Sequence, residues 1–529
     1  MTIRKHIINP AAILLFLSMA ILMLSACSIF DVYLPYTPPE YEYDPQPIPP
    51  VLERTQEPLH FTDDAILRLS MRHPLTLNPL LNEDATVAPI LRLIYEPLVV
   101  FDETLRPTGH LANIELASDF TSATLTIRDD AIWSDGLPVT ADDLIFSIEV
   151  LRLAPDAAIY KRNVENIARV DRISSRTVQI TFARASVTAS YALNFPIIPE
   201  HHFSGHVNAR SARNMEPLGN GPYRLVSVAP MQAMMLERSP YTFRRQPQID
   251  NIEVIFIPDA ETALHAFDQG VVDAIRLPFA EWVKHPSVKP VNHEEFPAMY
   301  FEFIGFNFAS FEDEIARQAI AHAFNAEEAM RAEYLHRAVR AVSPIHPQSW
   351  MHDNNIAGPA YDPRRAAELL SQIEMPEALT IVVNTEHIER VHIAQRLAAG
   401  LIAIGQPAEV IALPFYEYYT RLTEGEFDLF LGGMQLDFVP DFAFMFQDGP
   451  LFASDPVMEG LLMGLNIAST ESAYMQAVSQ LQQGFVDRLP IISLGFRHSA
   501  VLTGTRVHQG RTPAPDNVLI FVNEWEFRP

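Results

Sequence analysis

The chain has 529 residues, 48% of them hydrophobic, enough apolar material for two or three lobes that fold on hydrophobic burial alone. A formal charge of −27 argues against nucleic acid as a partner and against direct adhesion of the folded body to anionic lipid. Cys27 is the only cysteine, which rules out an internal disulfide framework and a thiolate metal site.

Arg4, Lys5 and His6 give the start of the chain a positive charge, and Ala11 to Leu24 follow as a mostly apolar run. That is the layout of a secretory signal peptide, and the run is shorter than the ~20 residues of a membrane-spanning helix. The tetrapeptide Leu24-Ser25-Ala26-Cys27 resembles the lipobox of bacterial lipoproteins. The resemblance implies that 1–26 are a signal peptide and that the Cys27 thiol is acylated. Acyl chains contribute ~0.8 kcal/mol per buried methylene, so two of them anchor durably. The expected location is therefore extracytoplasmic and lipid-anchored. Residues 27–59 carry the lipidated cysteine and a stretch rich in proline, acid and tyrosine with no helical or alternating period. It is expected to be a semi-rigid tether reaching at most ~3.1 Å per residue.

From His60 onward strand and helix patterns follow one another, as in an α/β chain. Thr124 to Arg128 and Thr177 to Phe182 read as strands. Thr140 and Asp143 read as a helix-opening cap, with Leu144, Ile145, Ile148 and Leu151 on one apolar face. Ile252 to Ile257 is an expected strand, Glu261 to Gln269 a helix stopped by Gly270, and Val271 to Ile275 a further strand.

In the second half, Ser310 and Asp313 read as a cap for a helix carrying Ile315, Ala319, Ala323 and Phe324 on its inner face. Asp362-Pro363 opens another helix. Leu379 to Asn384, the helix His387 to Ile404 and Ala408 to Leu413 form a βαβ unit, hence parallel strands with a right-handed crossover. Ile388, Val391, Leu397, Leu401 and Ile404 are that helix's expected buried side, and Gly405 closes it. Phe427 to Leu431 adds a strand ending at Gly432-Gly433. Two such bodies joined by a crossing near Glu295 to Phe306 leave a cleft, where ligands usually bind.

Six motifs in order carry a resemblance. They are Thr76-Leu77-Asn78-Pro79-Leu80, Tyr95-Glu96-Pro97-Leu98, the run Trp133-Ser134-Asp135-Gly136 to Asp143, Gly219-Asn220-Gly221-Pro222-Tyr223, Phe306-Asn307 with the helix after it, and Gly425-Glu426-Phe427-Asp428-Leu429. Together they resemble the solute-binding lipoproteins of peptide-type ABC importers, family 5. The resemblance implies a two-lobed periplasmic-binding-protein-like fold with an extra subdomain and a ligand cleft between the lobes. Lobe I would take 60–295 with the inserted subdomain, lobe II 296–485, and 486–529 would return to lobe I. It also implies a small polar ligand, by default an oligopeptide, delivered to an ABC permease and its ATPase subunits by a monomer.

By position, Asp437 is where peptide-binding relatives carry the partner of the ligand's α-amino group. Gly433, Met434 and Gln435 would lie beside an extended ligand, Trp350 is a candidate wall, and Leu77 and Asn78 would line the opposite lobe. Met434 stands where relatives often carry tryptophan, and Leu431 where some carry an arginine. The Trp133 to Asp143 run itself reads as a turn and a helix cap rather than a ligand contact.

Other chemistry lacks its signatures. There is no G-x-S-x-G elbow, no H-E-x-x-H and no glycine-rich phosphate loop. His201 and His202 are adjacent, and His387 and His392 lie off a shared helix face, so no metal site and no cofactor are expected. Two other functions fit the same chain: a membrane-anchored peptide-sensing receptor without transport, and a lipid-anchored hydrolase.

Overall fold

The computed structural model describes residues 65–278, 290–446 and 454–528; the expected signal peptide, Cys27 and the expected tether lie outside them. The chain forms two α/β lobes crossed by a pair of long strands.

Lobe I holds two four-stranded sheets. In the first, Ile66–Met71 runs parallel to Asn251–Phe256, followed by Ala233–Arg238 and Tyr223–Ala229 in antiparallel order. The second is antiparallel throughout, with Ser122–Ile127 and Thr177–Phe182 at its centre. The helix Ala141–Leu153 covers it, burying Leu144, Ile148 and Leu151 completely. Its cap is the expected one: the Thr140 N–H donates to Asp143 Oδ2 at 2.8 Å. Asp143 also accepts from Trp133 Nε1 at 3.2 Å and from the Glu200 N–H at 2.8 Å. The Trp133-to-Asp143 run is thus a structural knot inside lobe I.

Lobe II and the crossing share a seven-stranded sheet. Val291–Phe306 and Ile491–Gly504 pair antiparallel from Val291↔Gly504 to Gly305↔Ile491, with register breaks between Pro297 and Tyr300 and between Glu302 and Phe303. Such bulges bend and twist a strand locally. At the lobe I end Ala274–Pro278 adds to the sheet, and at the lobe II end Leu429–Gln435 pairs with Val291–Phe306. The expected βαβ unit is present: Leu379–Asn384 and Ala408–Leu413 are parallel, joined by the helix Ile388–Ala403. The segment after the crossing packs back on lobe I through Val507, Val522 and Trp525.

Several local expectations shift, each for a visible reason. The strand after Gly270 is Ala274–Pro278 rather than Val271–Ile275, because Val271 turns back to close the preceding helix, its N–H donating to the Ala266 carbonyl at 2.8 Å, and Asp273 just before the strand pairs with Arg506 at 2.7 and 2.9 Å. The helix at 314–323 is capped by Asp313, which accepts from the Ile315 N–H at 2.8 Å, rather than by Ser310. Ile388 is exposed, and Arg390 takes a buried position in that first turn. The strand Leu429–Gln435 runs through Gly432-Gly433 instead of ending there.

Candidate functional site

Between the lobes lies a cavity of about 870 Å³, within the size range of small-molecule sites. Lobe I contributes Arg72, Thr86, Pro89 and the strand Ala274 to Leu277. Lobe II contributes Asn384, Arg390, Tyr418, Gly433 and Gln435. Tyr300, Arg497 and Ser499 come from the crossing strands. A smaller hollow of about 340 Å³, around Asn292, Glu294 and His508, holds no buried charge.

Buried charge sits at one wall of the larger cavity. Glu302 is fully buried and accepts two hydrogen bonds from Arg390, Nε to Oε2 at 2.7 Å and Nη2 to Oε1 at 3.0 Å. Burial by itself pulls the Arg390 pKa down, but the Glu302 charge and hydrogen bonds outweigh it, so the guanidinium is held above its usual range. Arg390 Nη1 also donates to Asn384 Oδ1 at 3.3 Å. Arg497 approaches the same carboxylate at 3.6 Å and lies 3.5 Å over the Tyr300 ring. Two guanidinium groups thus share one carboxylate.

The glycine pair makes room for this wall. A Cβ on Gly433 would overlap Arg390 Nη2 and lie 2.9 Å from Glu302 Oε1, and one on Gly432 would lie 2.7 Å from the Phe303 ring. Beyond Phe430 the strand also leaves its parallel neighbour. Only Leu429 and Phe430 pair with Ile381 and Val382, while the other edge stays bound to Tyr300 to Phe306. Gly432, Gly433 and Gln435 face the cavity where that separation opens.

The other expected site residues are distributed differently. Met434 alternates to the far side of the strand, into the lobe II core beside Phe301 and Phe442. Asp437 lies outside the cavity lining. Its carboxylate keeps solvent contact, yet the surrounding walls push its pKa up, with Arg162 opposing and Asp441 adding to the shift. Trp350 joins the lobes away from the cavity: its Nε1 donates to the Tyr191 hydroxyl at 2.8 Å, its N–H to the Thr104 carbonyl at 2.9 Å, and the Arg106 guanidinium sits 4.4 Å over its ring. Leu77 is fully buried. The Asn78 side chain is spent on its own turn, accepting from the Leu80 N–H at 3.0 Å and donating to Asn214 at 3.3 Å.

The arginines were not singled out from sequence, and Arg276 and Arg497 carry no motif. One signal was legible: Glu302 interrupts the apolar run Tyr300-Phe301-Glu302-Phe303-Ile304, where an acid must be paired if it is buried. Among the described residues no three His, Cys, Asp or Glu side chains are grouped to hold a metal, and no helix is long and apolar enough to cross a membrane.

Comparison with known proteins agrees with this architecture. The dipeptide-binding protein of Escherichia coli is 22% identical over 374 residues, covering 65% of this chain and 70% of the relative. The substrate-binding protein CtaP of Listeria monocytogenes superposes with a TM-score of 0.76 at 20% identity, covering 87% of this chain and 99% of that one. NikZ of Campylobacter jejuni, solved with Ni(L-His), superposes with a TM-score of 0.66 at 22% identity, covering 88% and 100%. The family model for the middle region of bacterial extracellular solute-binding proteins, family 5, matches residues 106–449, more than half of the chain. The chain belongs to the family 5 extracellular solute-binding proteins.

Proposed function

We propose that this chain is the lipid-anchored, extracytoplasmic binding component of an ABC importer, which captures a short peptide in the interlobe cavity and hands it to a permease without chemical turnover. The observation that carries the reading is the strand edge at Gly432 to Gln435. It faces the cavity and has no ladder partner on that side among the described residues. An extended peptide can add itself to such an edge by main-chain hydrogen bonds, a mode that tolerates varied side chains. The dipeptide ligand of the E. coli relative supports the class.

The two crossing strands with their bulges form the natural hinge. Ligand shifts the open–closed balance only through contacts that both lobes make in the closed form. Asp437, two residues past Gln435, is the candidate partner for the peptide's α-amino group.

A thermal-shift screen of the chain against pools of di- to octapeptides, sugars and metal chelates tests the reading. A ligand of the native state stabilises by RT ln(1 + [L]/Kd), about 2.7 kcal/mol at a hundredfold excess over Kd. The peptide pools are expected to raise Tm, with a smaller rise in Asp437→Ala. A shift from sugars or chelates alone would discard the peptide.

A further inference from the structure

We propose that Arg276 is an anion anchor, on which the cleft seats an acidic group of its ligand, a carboxylate in the peptide case. The proposal deepens the peptide-binding reading and rests on it.

Strand alternation sets the geometry. Ile275 and Leu277 pack into a small core with Phe267, Ala500 and Leu502, so Arg276 between them turns to the opposite face, above the Phe296 ring at 5.8 Å. Its side chain is open to the cavity while both lobes crowd it.

What distinguishes Arg276 is the absence of a countercharge among the described residues. Of the four arginines that line the cavity, Arg390 is bidentate to Glu302, Arg497 shares that carboxylate, and Arg72 donates to the Pro258 carbonyl at 3.1 Å beside Asp259. No carboxylate among the described residues pairs with Arg276, and enclosure lowers its pKa.

Besides Glu302, two carboxylates among the described residues line the cavity, Glu386 and Asp259, and each has its own partners. Glu386 accepts from Asn384 Nδ2 at 3.0 Å and from the Phe415 N–H at 2.8 Å. Asp259 caps its helix, accepting from the Thr262 N–H at 2.8 Å and the Thr262 hydroxyl at 3.0 Å. Neither forms an ion pair with Arg276. A guanidinium in such a place is satisfied by a planar anion that meets its fork with two charge-assisted hydrogen bonds. Among the described residues, four arginines meet three carboxylates here, Asp259, Glu386 and the Glu302 shared by Arg390 and Arg497, so one positive charge is in excess and draws an anion inward in a chain of net charge −27.

The experiment compares three ligand sets on the full-length chain: a random tripeptide pool with free C-termini, the same pool amidated, and succinate with citrate as non-peptide acids. Thermal shift and calorimetry are read for the wild type, Arg276→Gln and Arg276→Lys. Because the side chain faces the open cavity, both variants are expected to keep the wild-type Tm without ligand. The free-acid pool is expected to bind roughly 10- to 100-fold tighter than the amidated pool, a preference lost in Arg276→Gln and partly kept in Arg276→Lys.

Equal binding of acid and amide pools by the wild type, unchanged in Arg276→Gln, overturns the anchor and leaves the peptide reading standing. If neither peptide pool binds but succinate or citrate binds through Arg276, the anchor stands and the peptide reading falls. If none of the three sets binds, both fall.

Discussion

Glu302, Arg390 and Gly433 show how tightly single residues are constrained around the cleft. The acid and the arginine are 88 positions apart and both are buried, and the glycine lies where any Cβ would displace the guanidinium. Removing one partner of a buried pair costs about 3–5 kcal/mol because the other charge is stranded. Gly433→Ala disturbs the pair without deleting it, so urea titration is expected to show a loss below that range, together with weakened ligand binding. An unchanged urea midpoint would mean that the pair relaxes freely. Gly460, in the helix Pro456–Ile467, is the contrast: an added Cβ there meets nothing within 4 Å. Gly460→Ala is expected to stabilise by about 0.4–1 kcal/mol through the unfolded chain.

His346 belongs to the same scale. It is buried against the Phe496 ring, its Nδ1 accepts the Gln348 N–H at 3.1 Å, and burial, with His498 and His352 facing it, lowers its pKa to about 4. The unfolded chain takes up this proton near pH 6.5 and the folded chain only near 4. Stability therefore falls as pH drops from 6.5 to 4, by about 3 kcal/mol for this group, and levels off below. His498 and His352 shift in the same direction and steepen the fall. Asparagine keeps an acceptor for Gln348 without the titration, so His346→Asn should flatten a plot of Tm against pH across that window; an unaltered slope would put the proton uptake elsewhere.

Among the elements, the crossing strands and the Trp350 contact matter most for motion. Trp350 ties lobe II to Thr104, Arg106 and Tyr191 of lobe I, and Arg106 in turn pairs with Glu471. Phe101 and Phe438 extend the contact with ring centroids 4.4 Å apart. Trp350→Ala is expected to cost about 2–4 kcal/mol, toward the low side for a large aromatic because the indole is only partly buried. It should also raise the radius of gyration of the unliganded chain in small-angle scattering. A destabilised variant with no such expansion would make Trp350 a packing residue only.

Elements with strong local signals were legible from sequence: the Thr140–Asp143 cap, the parallel strands around the helix Ile388–Ala403, and Gly270 in the left-handed region at φ 76°. The errors arose where a neighbouring contact overrode the local pattern. Val271 turned back to close the preceding helix on Ala266, and Ile388 gave its buried place to Arg390, which pairs with Glu302.

For the whole molecule, the two-lobed architecture and the existence of a cleft followed from the order of α/β units and from motif resemblance, because both are spread along the chain. The cavity wall did not. It is assembled from segments near 72, 276, 300, 390, 433 and 497, and no window of sequence shows that their side chains converge. Gly433 and Gln435 were reached through a motif and do line the cavity. Met434 was in the same motif but faces the core, a consequence of strand alternation once the strand continued through the glycines.

The central claim is that ligand occupies this interlobe cavity. Gln435 is exposed and lines it, so Gln435→Trp fills the cavity with little cost to the unliganded fold. The decisive measurement is the peptide-induced rise in Tm for the wild type beside Gln435→Trp. The account predicts a clear rise in the wild type, none in the variant, and equal Tm values for the two without ligand. A rise of the same size in both proteins would place the ligand elsewhere.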